Sequence, residues 1–332
     1  MTLYARSMES CSVDSNAVTT EVVTAGRYDN TYGIRLGLFI TTAGLTNYIT
    51  TRQGIGGPYT TTFWHRAIVF NATFVNAATL YEYRTNAGVA IFRIFATATN
   101  TLQPQYWSGA AWVNTGASFV MAINSLYKMD LKIIGATSFE WYFGLNSASD
   151  PPLVSSGTTG ALATSIDEIR AYATTTGGGG NTPIHSEWIW GDESTQGHRY
   201  VWRPPSGDGT DTAGTGTYLD VDEAVTNDSD FSALATSGNA ETYVHTAMTV
   251  PSGIVKAVQV ESRVRNVVGG AQNVKARLRV GGVAYDQASN FPGITTAFGP
   301  YVARWATNPA GGAWTPTTAS QTTNEFGLLA QT

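Results

Sequence analysis

The chain has 332 residues, with 19 basic against 24 acidic side chains for a net charge of −5 and a pI of about 5.4. Only four of the basic residues are lysines, so the clustered basic field that a nucleic-acid surface needs is missing. Charged residues are 13% while aromatics reach 11%, with 35 glycines, 47 threonines and 42% apolar residues, a composition of stacked sheets that excludes both a helical bundle and a disordered chain.

Short runs rich in aromatic and β-branched residues, bounded by Gly, Asn, Ser and Pro, predict strands at Ile34–Thr41, Thr62–Phe70, Ala78–Tyr83 and Val89–Ala96. Trp107-Ser108-Gly109-Ala110-Ala111-Trp112 reads as a hairpin with one tryptophan on each arm. Tyr127–Ile134 and Phe139–Leu145 follow as strands. The strict alternation of Tyr127 to Ile133 predicts one wet face and one buried face. Thr174 to Pro183, with four consecutive glycines, cannot pack a core and reads as a linker. Beyond it come Trp188-Ile189-Trp190 and then strands at Val255–Val264 and Val274–Val280, separated by a connection containing Gly269-Gly270. The expected fold is all-β, with two antiparallel, jelly-roll-like sandwiches in tandem. The first spans residues 1–180, the linker 181–187 and the second 188–332.

Sequence motifs argue against most chemistry. Cys11 stands alone, which excludes a disulfide framework and a Cys-based zinc cage. No apolar run reaches 18 residues, so no spanning helix is expected. Met1 to Arg6 lacks a secretory-signal profile, so synthesis in a cytoplasm without general export is expected. His65, His185, His198 and His245 show none of the spacings of a metal motif and read as structural or surface residues. There is no G-x-S-x-G elbow and no phosphate-cradling loop.

Paired carboxylates need more care, since a glycosidase requires two of them about 5–9 Å apart. Glu21, Glu82, Glu140, Asp167 and Glu168 are the candidates in the first domain. Glu82 and Glu140 alternate with aromatics in Tyr81-Glu82-Tyr83 and Phe139-Glu140-Trp141, either on a sugar-stacking face or at plain outward strand positions, and the second reading is favoured. Ser206 to Asp211 offers two carboxylates for calcium but lacks the remaining acidic ligands, and reads as a turn. Asp220 to Glu223 and Asn227 to Asp230 read as a solvated acidic loop. Trp107, Trp112, Trp188, Trp190, Trp202, Trp305 and Trp314 are either core residues or platforms for a carbohydrate or a partner. No catalytic, metal or cofactor-binding residue is assigned, and no cofactor is expected.

The run from Val89-Ala90-Ile91-Phe92-Arg93-Ile94 through the Trp107 to Trp112 hairpin to Tyr127–Ile133, closed by Ser165 to Tyr172, resembles the concanavalin-like, laminin-G-like jelly rolls of tailed-bacteriophage structural proteins. The second half is similar to phage virion proteins in an ordered set of segments. These are Gly191-Asp192 with His198 to Gly209, Tyr218 to Glu223, Asp228 to Phe231, Val255 to Val260, Asn308 to Thr315 and Asn324 to Gly327. Ile189-Trp190 stands where that family usually has Leu before Gly-Asp.

The resemblance implies a non-enzymatic virion component, of the head (decoration or fibre) or of the tail, with other virion proteins as partners. It also implies a homo-oligomer, a trimer in the first instance, with a host-surface glycan as a further partner. Neither nucleic acid nor membrane is expected as a partner. The competing expectation is a carbohydrate-binding or glycoside-cleaving jelly roll.

Overall fold

A computed structural model describes residues 3–6, 12–13, 19–23, 36–40, 48–50, 59, 61–71, 77–85, 87–135, 137–147, 149–160, 166–172, 184–198, 203–222, 229–245, 253–267 and 273–331. The protein is almost entirely β, with 54% of residues in strands and 4% in helices. It divides into two compact units, Met1–Tyr200 and Val201–Thr332.

In the first unit the strands are β1 Leu3–Arg6, β2 Ser12–Val13, β3 Thr19–Val23, β4 Leu36–Ile40, β5 Tyr48–Thr50, β6 Thr62–Asn71, β7 Ala78–Arg84 and β8 Ala90–Ala98. They continue with β9 Thr101–Trp107, β10 Trp112–Asn114, β11 Phe119–Val120, β12 Ser125–Ile134, β13 Ser138–Leu145, β14 Leu153–Thr158, β15 Glu168–Tyr172 and β16 Ile184–Gly191. One antiparallel sheet runs β14-β13-β12-β6-β16-β4-β3, with β1 also paired to β16. The other runs β10-β9-β8-β7-β15-β5-β2, with β11 also paired to β9. Tight turns set the second sheet's register: Asn100 at φ +57° links β8 to β9, and Gly109 at φ +93° sits in the turn to β10.

Between the sheets lies one core. The first sheet contributes Phe63, Ala67 and Val69 from β6, Met129 and Leu131 from β12, Trp141 and Phe143 from β13, and Trp188 and Trp190 from β16. Tyr81, Tyr83, Phe92, Ile94, Leu102 and Ile169 fill it from the second sheet. Each set recurs at every second residue along its strand, so the residues between them point outward.

The domain boundary moves from its expected place. Trp188-Ile189-Trp190, assigned by sequence to the second domain, belongs to β16 in the middle of the first unit's sheet, where Ile189 pairs with Arg66 and Trp190 with His65. Two indoles completely buried in the first core tie the chain there, so the division falls at Tyr200/Val201. The glycine-rich stretch from 174 and the first part of the expected linker, 181–183, lie outside the described residues, whereas 184–187, the rest of that linker, is the start of β16.

Nor is the outer face of β12 wet. Lys128 and Asp130 are 1% and 0% exposed, because residues from two later parts of the chain bond over this face. Arg66 of β6 grips Asp130 of β12 with two bonds of 2.9 and 2.7 Å and reaches Asp150 at 2.6 Å and the His198 carbonyl at 2.5 Å. The Thr195 hydroxyl donates to Asp130, and Lys128 Nζ donates to the Ser147 and Ser149 carbonyls at 2.6 and 3.0 Å. Buried charges persist only when paired and hydrogen-bonded, and here the pairing partners are the covering segments themselves.

The core also holds two imidazoles. His65 Nδ1 lies 2.8 Å from the Tyr83 hydroxyl and His185 Nδ1 lies 2.8 Å from that of Tyr81. Both histidines are fully buried, and Tyr81 packs edge-on to each. Burial lowers both pKa values to about 3; for His65 the neighbouring His185 adds to the effect, and for His185 the Tyr172 carbonyl opposes it.

The second unit contains β17 Pro205–Thr212, β18 Ala240–His245, β19 Val258–Val264, β20 Asn273–Val280, β21 Val283–Asp286, β22 Gly299–Trp305 and β23 Glu325–Gln331. It has a five-stranded antiparallel sheet, β17-β18-β23-β20-β21, and a β19-β22 pair. Leu278, Tyr301, Trp305, Trp314 and Phe326 are among its core residues, and the Trp314 indole donates to the Trp305 carbonyl at 2.9 Å.

Two stability measurements check this packing. Arg66→Met strands a buried carboxylate and is expected to cost about 3–5 kcal/mol in urea unfolding, while Arg66→Met/Asp130→Leu recovers most of the loss. The histidines set a pH dependence. Below about 6.5 the unfolded chain takes up protons that the folded core refuses until about 3. Stability therefore falls as pH drops through that window, by up to about 1.4 kcal/mol per pH unit for each imidazole. His65→Gln/His185→Gln is expected to flatten the urea midpoint between pH 6.5 and 4.5.

Candidate functional site

Outward positions define two surfaces on the first unit, and they differ in kind. The face of the first sheet is closed over Arg66, Asp130 and Lys128. At its margin Tyr142 stacks on Trp64 with ring centroids 6.0 Å apart. Lys132 lies 5.2 Å above the same indole and 3.0 Å from Glu140, and Tyr142 donates to Glu140 at 2.7 Å.

The outward face of the second sheet presents a polar row that the register lines up across five strands. Asn114 of β10 pairs with Gln105 of β9, Gln105 with Arg93 of β8, Arg93 with Glu82 of β7 and Glu82 with Arg170 of β15. Glu82 and Arg93 share a face because Tyr81 to Tyr83 pair in unbroken register with Ile94 to Phe92, the register shifts of this strand pair lying on either side. Side chains connect along the row. Arg93 Nε donates to Gln105 at 2.6 Å, and Gln105 Nε2 donates to Asn114 at 2.7 Å. Glu82 accepts from the Tyr172 hydroxyl at 2.9 Å and from Arg84. Arg170 donates to Glu168 through two nitrogens at 2.7 and 3.2 Å.

Arg93 is the centre of this face. Its guanidinium carbon lies 4.0 Å from the Phe95 ring centroid and 4.2 Å from that of Trp112, so the planar cation is held against two aromatic rings. Burial lowers its pKa to about 10, with Glu82 opposing the shift, and the side chain remains a cation at neutral pH. Trp112 in turn lies edge-on to Trp107 at 5.5 Å, across the hairpin expected from the sequence. Both indoles, Arg93 and Phe95 are part-exposed. A flat amphipathic ligand would find here apolar ring surface beside amide and guanidinium donors, the combination small-molecule sites use.

The sequence candidates sort clearly. Glu82 and Glu140 both point outward, but from opposite sheets with the whole core between them. They cannot flank one sugar at the spacing hydrolysis requires. Burial pushes the Glu140 carboxyl up, but hydrogen bonds from Tyr142 and Lys132 overcome that and hold it below its ordinary value, the wrong direction for a general acid. Glu168 is locked in its pair with Arg170, and Asp167 donates its amide to the Arg84 carbonyl. The side chain of Glu21 lies outside the described residues.

In the second unit Ser206 to Asp211 is not a turn but part of edge strand β17. Its carboxylates are engaged, Asp208 with the Tyr218 amide at 2.6 Å and Asp211 with Arg277 and Arg279. The acidic stretch begins in a single 3-10 turn, Tyr218–Asp220, where Asp220 accepts from the Thr217 amide; residues 223–228 lie outside the described residues. Among the described residues no group of three or more His, Cys, Asp or Glu side chains is placed to hold a metal ion.

Sequence reasoning passed over Arg93, Gln105 and Asn114. A signal existed: Arg93, Gln103 and Gln105 are polar residues at outward positions of otherwise apolar strands, flanking the hairpin that carries the tryptophans.

No protein-family model matches the chain, and no curated protein does. Among solved structures it is similar to the globular domain of T. cruzi calreticulin, at 8% identity and a TM-score of 0.42, covering 58% of this chain and 90% of that one. The cellulose-induced protein Cip1 matches at 12% identity and a TM-score of 0.40, covering 54% and 88%. The binding domain of botulinum neurotoxin serotype G matches at 10% identity and a TM-score of 0.38, covering 55% and 43%.

Proposed function

We propose that the protein is a non-catalytic carbohydrate-binding β-sandwich whose ligand lies on the outward face of β7 to β10. The observation that carries this reading is the Trp107–Trp112 pair beside the ring-held Arg93 and the Gln105–Asn114 amides. Aromatic faces cover the apolar side of a sugar ring, and planar amide and guanidinium donors meet its hydroxyls. The separation of Glu82 from Glu140 favours binding over cleavage.

The sequence resemblance to tailed-phage virion proteins supplies the setting: a structural component that contacts other virion chains as a homo-oligomer and meets the host at a surface glycan. That setting rests on the resemblance of both halves to tailed-phage structural proteins, the ordered segments of the second half being the more specific part.

Electrophoresis of the full chain through gels containing host-cell-surface polysaccharide, with a parallel assay for reducing ends, tests the reading. Retardation without new reducing ends is expected, and Trp112→Ala should weaken it at least tenfold. Release of reducing ends that Glu82→Gln or Glu140→Gln abolishes would make the protein an enzyme instead. Retardation indifferent to Trp112→Ala would move the site elsewhere. The setting has its own check: mass spectrometry of purified virions should find this chain, and its absence there would remove the phage role while leaving the binding reading intact.

A further inference from the structure

Arg93 has more hydrogen-bonding capacity than the protein uses. A guanidinium carries five N–H donors. Nε is spent on Gln105, while among the described residues Nη1 and Nη2 meet no acceptor. Two other arginines of this face differ: Arg84 is paired with Glu82 and Glu168, and Arg170 with Glu168. Glu82, the nearest carboxylate along the row, is itself taken up by Arg84 and Tyr172. So one cation, fixed by Phe95 and Trp112 and by its bond to Gln105, presents the fork of its terminal nitrogens with no carboxylate bonded to it among the described residues; the Glu82 charge acts on it only from across the strand pair. Such a fork matches a carboxylate with two parallel bonds, and pre-set geometry removes most of the entropy cost of forming them.

We infer that this site recognises an acidic saccharide, whose carboxylate docks on Nη1 and Nη2 of Arg93 while its ring lies against Trp107. The inference rests on the carbohydrate-binding reading and narrows it to one chemical class. Arginine selects planar, bidentate anions, so a uronic-acid type of sugar is preferred over its neutral counterpart. The attraction is salt-sensitive, because the site is part-exposed.

Isothermal titration calorimetry on the full chain tests this with three probes: trigalacturonate, its fully methyl-esterified form, and a triglutamate peptide. Trigalacturonate is expected to bind at least tenfold tighter than the ester, and the gap should shrink in 1 M salt. Arg93→Gln should abolish the gap while weakening the ester little. Arg93→Lys, which keeps the charge on the stack but loses the fork, should leave part of it, and it carries the test if the glutamine variant does not fold.

Equal binding of acid and ester by the unaltered protein would overturn the acidic preference and leave carbohydrate binding standing. A gap that survives in Arg93→Gln would overturn the assignment to this residue. Triglutamate binding as tightly as trigalacturonate would show that the carboxylate matters and the sugar does not. Failure of both saccharides to bind at millimolar concentration would count against the acidic-saccharide inference and the parent reading together.

Discussion

The Arg66–Asp130 pair decides which side of the first unit is available. Both partners sit at outward positions of central strands, where alternation alone would leave them in water. Isolated, either charge would be intolerable under a covering loop; together, with Asp150, Thr195 and the His198 carbonyl completing their hydrogen bonds, they become the reason that the covering segments stay down. Closure of the first sheet's face follows, and with it the burial of Lys128, Ile68 and Ile189. Among the described residues the opposite sheet has no such clasp across its outward face, and Arg93 and Asn114 of its polar row stay in contact with solvent.

That row is a product of register. Five strands contribute one residue each, and a slip of one position in any of them would exchange a polar side chain for a core residue. Between the irregularities of the β7–β8 pair, Tyr81 to Tyr83 run in regular register with Ile94 to Phe92, and alternation brings Tyr81 and Tyr83 into the core while Glu82 and Arg93 remain outside. The aromatic rings on either side of Arg93 then convert a long flexible side chain into a fixed donor. Buried histidines bound to Tyr81 and Tyr83 hold the same strand from its inner side, so the inner and outer faces of β7 are fixed by separate hydrogen-bond sets.

Much of the fold was legible in the sequence. Period-2 alternation marked the inward positions of β7, β12 and β13, β8 was legible as a strand, and the Trp107–Trp112 hairpin was readable from its turn residues. What local pattern could not supply was the third dimension. Trp188 and Trp190 followed a glycine-rich stretch and looked like a new domain, because pairing of β16 with β6, more than a hundred residues away, leaves no local mark. Lys128 and Asp130 looked solvated for a similar reason, since Ser147, Ser149, Asp150, Thr195 and His198, which bond to them or to Arg66, are distant in sequence. The candidate site was half visible. Its tryptophans and Glu82 stood out by type, whereas the link from Arg93 to Gln105 and Asn114 depends on which strands lie side by side.

The most direct measurement of the central claim is to watch the indole N–H resonances of the full chain in a two-dimensional NMR titration with a bound polysaccharide fragment. Ligand on the outward face of β7 to β10 is expected to shift the Trp107 and Trp112 signals together and leave that of Trp64, on the opposite sheet, in place. Movement of the Trp64 signal while Trp107 and Trp112 stay unperturbed would contradict the account and put the ligand on the wrong side of the sandwich.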